Sequence, residues 1–561
     1  MSNNQSKDNL ILMDDKIESW LRDRSALLFY ILAGVFVVFS FLFFNARVSI
    51  TGDDSTYITR AINFWSSGKF PDYQGPLYPI VLSLFAGIFG MNVILLKLTS
   101  FVFLLGSFVW FYKTFKDKIS YTSLFFTMGI MGLSHYFLFF SSQTFSEAFF
   151  MLLQIGMFYY VFKVVERDED SSDKNWRSQL KVVLPIVVSA VLMFLTKTIG
   201  IGAILALLVF FLVYKEFKKA LFILFGFVVL MTFFVGVKSV VWDLPPTTGK
   251  QTSQLLNKHP YDESQGKEDF SGFIQRFKDN SNLYLSKHFV RVLGFKSGQK
   301  NSTNPAVTIL LYVLFLLGFF WFPKRNKFLF FTSVYLAILL GMTFFSLQKL
   351  WDQYRLIIPY VPFVILFLVS TVIQVSKEKN IVLVRKFFFL VLILSLGLVS
   401  VSGYNNMDLK TLSKNIQGDK FAGFTPDWVS YLKMVDYVES NLSKEDTYVA
   451  CRKPNIARIY AKGRKFYGVY RIPEGSAEDL VQQLKDRNVT HIIVASLRKN
   501  PHVFTGQTIN TIKRYMAVIV KEYPKMFKLV KKYGDKEPTY LFEIDYSQLN
   551  NPVVKVNENN K

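Results

Sequence analysis

Apolar runs of about 18–22 residues recur along the first 400 or so positions, each long enough to cross a hydrocarbon layer of about 30 Å. Segments of this kind have one solution in lipid, a helix that pairs its own backbone groups, so the chain is expected to be an α-helical polytopic membrane protein. Composition agrees: 51% of residues are hydrophobic, 59 are Phe, and the mean hydropathy is +0.27. A soluble enzyme rarely looks like that.

Spans are placed near 26–46, 92–112, 120–141, 147–165, 182–197, 200–216, 219–241, 306–323, 328–346, 357–375 and 386–403, about eleven crossings. Basic residues test the register. Lys113, Lys116 and Lys118; Arg167, Lys174 and Arg177; Lys215, Lys218 and Lys219; Lys324, Arg325 and Lys327; and Lys377, Lys379 and Arg385 fall in alternate loops, which are therefore assigned to the cytoplasm. Two crossings between Gly75 and Tyr112 would reverse every later loop, so Pro76 to Gly90 is read as a juxtamembrane or tilted helix leading into one crossing. The polar start, residues 1–25, then lies in the cytoplasm, and the first apolar run is a retained signal anchor.

The net charge of +24 does not call for nucleic acid, because Lys and Arg sit in the short loops between apolar runs. Cys451 is the only cysteine, which excludes an intramolecular disulfide and a Cys-based zinc site. The five histidines show no metal-ligand spacing, and neither a metal nor a cofactor is expected.

After about Val401 the pattern changes. Amphipathic helices at 427–441, 476–487 and 507–523 alternate with β-type runs at 446–451, 465–470, 490–495, 527–533 and 538–545. The organisation expected is a membrane module over 26–403, with external loops 48–75 and 242–305, followed by a soluble α/β domain over 404–561. An odd number of crossings puts that domain outside the cytoplasm, in a multi-pass protein of the plasma membrane.

Chemistry points to one membrane face. Asp53 and Asp54 follow the first span; adjacent carboxylates raise each other's pKa and cost solvation if buried, so they persist where one acts as a base or binds a cation or hydroxyl. A helix N-cap is the plain alternative, but it needs only one carboxylate. Asp54 is therefore read as capping or positioning and Asp53 as reaching substrate. Glu147 lies at the mouth of an apolar span, where an ionisable group turns toward a wet cavity or sits in the headgroup layer. Lys197, between Thr196 and Thr198, can pair with a lipid phosphate or snorkel. Arg355, in Gln353-Tyr354-Arg355, begins a span on the outer side, and its guanidinium suits a phosphate or a salt bridge to Asp352 or another carboxylate.

Together these motifs resemble the GT-C superfamily of integral-membrane glycosyltransferases, in particular the protein O-mannosyltransferase and lipid A aminoarabinose transferase group. In that group an acidic pair followed by a tyrosine stands in the first external loop, as Asp53-Asp54-Ser55-Thr56-Tyr57 does here, with an alanine, a glycine and Pro-Leu-Tyr after it, matched by Ala61, Gly68 and Pro76-Leu77-Tyr78. Ser146-Glu147, Lys197-Thr198-Ile199-Gly200 and Arg355 with Pro359 and Pro362 extend the likeness. Where the aminoarabinose transferases carry a basic residue before Pro-Pro-Leu-Tyr, this chain has Gln74-Gly75.

The resemblance implies an inverting transfer of a sugar from a polyprenyl-phosphate-linked donor, drawn from membrane lipid, to an extracytoplasmic lipid, glycan or protein hydroxyl. Asp53 would be the general base, with Asp54 and Glu147 as further catalytic candidates and Tyr57, Tyr78, Lys197, Tyr354 and Arg355 as donor-binding ones. A transporter or flippase of polyprenyl-linked saccharides would place charges near the midplane and carry an internal repeat, and neither is visible. A non-catalytic envelope assembly factor is the remaining alternative.

Overall fold

The computed structural model describes residues 16–72, 75–170, 176–244, 255–260, 263–295, 302–348, 351–470, 477–498 and 511–550. Among them, each of the eleven segments expected to cross a membrane is helical. Seven helices are long and apolar enough to span: Ser25–Leu42, Val93–Phe115, Ser146–Arg167, Phe217–Trp242, Lys327–Ser346, Val361–Glu378 and Val382–Asn405. Tyr121–Leu133 and His135–Ser142 form an eighth if this pair, bent by 62°, is one span. The shorter apolar helices Leu180–Thr196, Thr198–Val213 and Pro305–Trp321 account for the rest of the expected crossings. Leu77–Phe89 is a separate helix of 13 residues, about 20 Å long and too short to span alone. Lys174 and Gln74 lie outside the described residues.

Two compact units divide the chain. The first comprises Met1–Phe44, Ser67–Leu84 and Lys97–Leu409. Its exposed surface is what water would not tolerate: on Phe217–Trp242, Phe233 is 70% and Val240 87% exposed. Such a face is solvated by lipid, which makes the chain a multi-pass membrane protein. Lipid tails are as apolar as leucine, so the helices associate by shape and aromatic packing. The ring of Phe158 lies 4.4 Å from Phe363, 4.8 Å from Phe331 and 5.0 Å from Tyr335, joining three of the most buried helices. Polar ends are closed locally. Glu18 accepts hydrogen bonds from the backbone N–H groups of Tyr121 and Thr122 and from the Thr122 hydroxyl, while Ser120 caps the same helix at Ser123.

The second unit comprises Asn45–Ser66, Phe85–Leu96 and Lys410–Lys561. Its centre is a five-stranded mixed sheet of β1 (Val449–Cys451), β2 (Phe466–Gly468), β3 (His491–Ala495), β4 (Phe527–Tyr533) and β5 (Thr539–Ile544), in the order β2-β1-β3-β5-β4. Strand β1 runs parallel to β2 and β3, whereas β5 is antiparallel to β3 and β4. Helices Pro426–Asn441, Ala477–Asp486 and Thr511–Glu522 stand where the periodicity places them. Two further helices, Leu409–Ile416 and Pro454–Tyr460, lie outside the segments expected to be helical. The core is built from Ala450, Leu480, Leu484, Ile492, Ile512 and Ile519. Arg464 closes the C-terminal end of Pro426–Asn441 by donating to the carbonyls of Val438 and Leu442, both at 2.8 Å, where the helix dipole favours a cation.

The thiol of Cys451 is fully buried in β1, and burial pushes its pKa up to about 12. At pH 7.5 the folded protein should resist maleimide labelling over an hour and label stoichiometrically in denaturant. Rapid labelling of the native protein, read by mass spectrometry, would contradict the packing of this sheet.

Candidate functional site

In the first unit the candidates Glu147, Lys197 and Arg355 meet. Glu147 stands in the first turn of the helix Ser146–Asp170, where the dipole favours a carboxylate, and its side chain is fully buried. Its Oε1 accepts from Lys197 Nζ at 2.8 Å and lies 3.3 Å from Arg355 Nε. Lys197 is extended backbone between Trp176–Thr196 and the 3-10 turn Thr198–Gly200, so it breaks what would otherwise be one helix and turns its ammonium toward Glu147. The guanidinium of Arg355 also lies over the ring of Phe145, 4.8 Å from its centroid. Of the two partners left open for Arg355, the carboxylate found is Glu147; Asp352 is engaged elsewhere.

Tyr354 packs edge-on against Tyr136 at 5.0 Å and Phe140 at 6.0 Å, and burial raises its phenol well above the usual range. Tyr78 is fully buried, its ring 6.1 Å from Phe149 on the helix that begins at Glu147's turn. Gly75 explains why no side chain is accepted just before Pro76. A Cβ there would stand 2.1 Å from the carbonyl oxygen of Thr196, the neighbour of Lys197. Close backbone approach takes the place that a larger residue would occupy.

The turn that carries Arg355 is tied down by Asp352. Its Oδ2 lies 2.5 Å from Lys287 Nζ and its Oδ1 2.7 Å from His288 Nε2, both donors belonging to the π-helical turn Leu283–Phe289. Burial would raise the Asp352 pKa, but the bonds from Lys287 and His288 outweigh it and hold the carboxyl below its usual range. Tyr284 adds a hydrogen bond to the Trp351 carbonyl at 2.7 Å.

The acidic pair belongs to the second unit. Gly52, at φ +97°, makes a turn only glycine adopts easily, and the helix Asp53–Ser67 begins directly after it. Asp54 is fully buried and accepts from the Ser49 N–H at 3.1 Å, which fixes the loop before the helix. Asp53 is half-buried, and Tyr57 is buried one turn further on.

Sequence reasoning missed Lys97, which is fully buried in Val93–Phe115 and donates to the Ser142 carbonyl at 2.7 Å. An ionisable residue inside an apolar run was the available signal. It also missed Lys453, whose Nζ donates to the Thr51 carbonyl at 3.2 Å, for which a local pattern offers none. Among the described residues no group of three or more His, Cys, Asp or Glu is placed to hold a metal ion.

Because Glu147 is the carboxylate that two cations share, its loss is costlier than the loss of either partner. Glu147→Gln should destabilise the detergent-solubilised protein by about 3–5 kcal/mol, and Lys197→Gln by less. Thermal unfolding of the purified variants checks this; equal melting of Glu147→Gln and wild type would refute it.

No family model matches the sequence, and no curated protein sequence matches it. Solved structures do. ArnT from Cupriavidus metallidurans in the apo state is 12% identical at a TM-score of 0.52, over 92% of this chain and 98% of that one. The same protein bound to undecaprenyl phosphate is 11% identical, also at 0.52 and over the same shares. A weaker likeness is to the apo oligosaccharyltransferase of Archaeoglobus fulgidus, 12% identical at 0.49, over 85% of this chain and 70% of that one. The architecture expected from the motifs is thus the one found, a helical membrane module followed by a small mixed sheet, and its fold is similar to that of ArnT.

Proposed function

We propose that this protein is an inverting glycosyltransferase that moves a sugar from a polyprenyl-phosphate-linked donor to an extracytoplasmic hydroxyl acceptor. The observation that carries the reading is the cluster of Lys197 and Arg355 on the single carboxylate of Glu147. In this cluster cations outnumber the carboxylate two to one, beside the hydrocarbon, which suits a phosphodiester monoanion arriving on a lipid and the second charge it gains as the sugar leaves. Lys197 and Arg355 bind the donor phosphate and stabilise the charge that develops on it as the glycosidic bond breaks. Glu147 keeps the two cations in place, and Tyr354 and Tyr78 line the donor's path.

Asp53 serves as the base. Its carboxylate takes the proton of the acceptor hydroxyl as that oxygen attacks the anomeric carbon from the face opposite the leaving phosphate, which inverts the centre. Asp54, spent on the Ser49 N–H, holds the loop. A lipid phosphate leaves without protonation, so no general acid is required. The ArnT of similar fold has been solved with undecaprenyl phosphate, which is in keeping with this donor class. A flippase would need its charges at mid-membrane, but Glu147, Lys197 and Arg355 all sit at helix ends.

The assay uses purified protein with lipid-linked sugars extracted from the native membranes, together with envelope glycans of cells with and without the gene. Asp53→Asn should abolish transfer while leaving expression and membrane insertion intact, and Asp54→Asn should act mainly through stability. Lys197→Gln and Arg355→Gln should each weaken binding of undecaprenyl phosphate by about 1.5–3 kcal/mol, the range for a hydrogen bond to a charged group. Near-normal turnover by Asp53→Asn would overturn the base, and unchanged lipid-phosphate affinity in both cationic variants would overturn the phosphate site.

A further inference from the structure

The acidic loop and the C-terminal part of the chain fold as one unit, and the seam within it is polar and specific. One short segment, the turn after β1 and the helix Pro454–Tyr460, holds the loop at three points. Lys453 Nζ donates to the Thr51 carbonyl at 3.2 Å, Asn455 Nδ2 to Thr56 Oγ1 at 3.2 Å, and Arg458 Nη1 to Asn63 Oδ1 at 2.8 Å. Arg47 reaches from the other end of the loop to the Gly423 carbonyl. The first of these bonds falls on the residue before Gly52, the left-handed turn from which the helix of Asp53 starts. Lys453 is also where Asp53 meets a positive charge: the two groups attract across the seam, while Arg452 beside Lys453 repels it.

We propose that Lys453 is a positioning residue for Asp53: its ammonium anchors the Thr51–Gly52 turn, so that the C-terminal domain sets where the acidic pair's helix begins and where its leading carboxylate points. The inference rests on the reading of Asp53 as the base and gives the C-terminal domain a part in that reaction. Chemical specificity follows from the geometry. A neutral amine is a weaker donor to a carbonyl and has no attraction for a carboxylate, so the anchor works only when charged.

Burial first, and Arg452 second, bring the Lys453 pKa down to about 8, against the opposing pull of Asp53. The sign is therefore fixed. The ammonium is present below pH 8 and lost as pH rises through it, so the anchor should loosen on the alkaline side of neutrality rather than near the usual lysine range. The charged groups acting on Lys453 are Arg452 on its own turn and Asp53 on the loop helix.

The test compares full-length wild type, Lys453→Met and Lys453→Arg in detergent, by transfer with the lipid-linked sugar extract and by hydrogen exchange of the Gly52 and Thr56 amides. Wild type should lose kcat, with little change in KM for donor, as pH rises through about 8. Lys453→Met should lower kcat about tenfold or more at pH 7, remove that alkaline limb and deprotect both amides. Lys453→Arg stays charged and keeps the carbonyl bond, so it should retain kcat and protection past pH 9. If Lys453→Met fails to fold, the arginine variant decides alone: an alkaline limb that stays at pH 8 overturns the proposal. A wild-type kcat, pH profile and amide protection in folded Lys453→Met would do the same. Should Asp53→Asn prove inactive while Lys453→Met is normal, this inference fails and the base stands. If Asp53→Asn turns over normally, the functional reading itself has failed.

Discussion

A fully buried carboxylate with two cations on one oxygen is an arrangement that lipid surroundings enforce. Near hydrocarbon none of Glu147, Lys197 and Arg355 is cheaply left alone, and each is brought in by a different break in the helical pattern: the start of one span, the kink between two others and the turn ahead of a fourth. The electrostatic bond thus fixes helix ends that are 50 and about 200 residues apart in sequence. Much else in the first unit follows from keeping those ends together. Gly75 can lie against Thr196 only if the chain stops short of a side chain there, and Asp352 must hold the turn before Arg355 from the other side.

The two acidic positions that looked equivalent as a pair are separated by burial. Asp54 is fully buried and accepts from the Ser49 N–H of its own loop, whereas Asp53, one residue earlier, is only half-buried. The two carboxylates thus meet different surroundings. The difference arises from helical geometry, since consecutive side chains in a first turn point about 100° apart.

Helix content was legible because lipid-crossing segments write their length directly into composition, and the tail was legible because amphipathic helices there alternate with short β-type runs, two of them buried along their whole length. Phe527–Tyr533 and Thr539–Ile544 lie within a residue of the expected β-type runs. The acidic pair, Glu147, Lys197 and Arg355 could be singled out as charges that hydrocarbon makes expensive. Their partners could not be assigned: Arg355 had Asp352 three residues away as the nearer choice, yet folding gives it Glu147 and gives Asp352 to Lys287 and His288. The bond from Lys453 to Thr51 spans 402 positions and leaves no local trace at either end. Separation of that order is set by topology, which periodicity does not encode.

That long separation has a consequence for how the molecule comes into being. The loop of residues 45–66 is synthesised well before its hydrogen-bond partners Gly423, Lys453, Asn455 and Arg458, which follow nearly 400 positions later. At roughly 5–20 residues per second, synthesis leaves the loop waiting for something like half a minute or more. During that interval the membrane helices can insert and lipid can gather around them while the acidic turn has its local bonds but not the one from Lys453. The turn before Asp53 is therefore completed late, by a segment about 400 positions downstream, and a product terminated before Lys453 would lack that hydrogen bond.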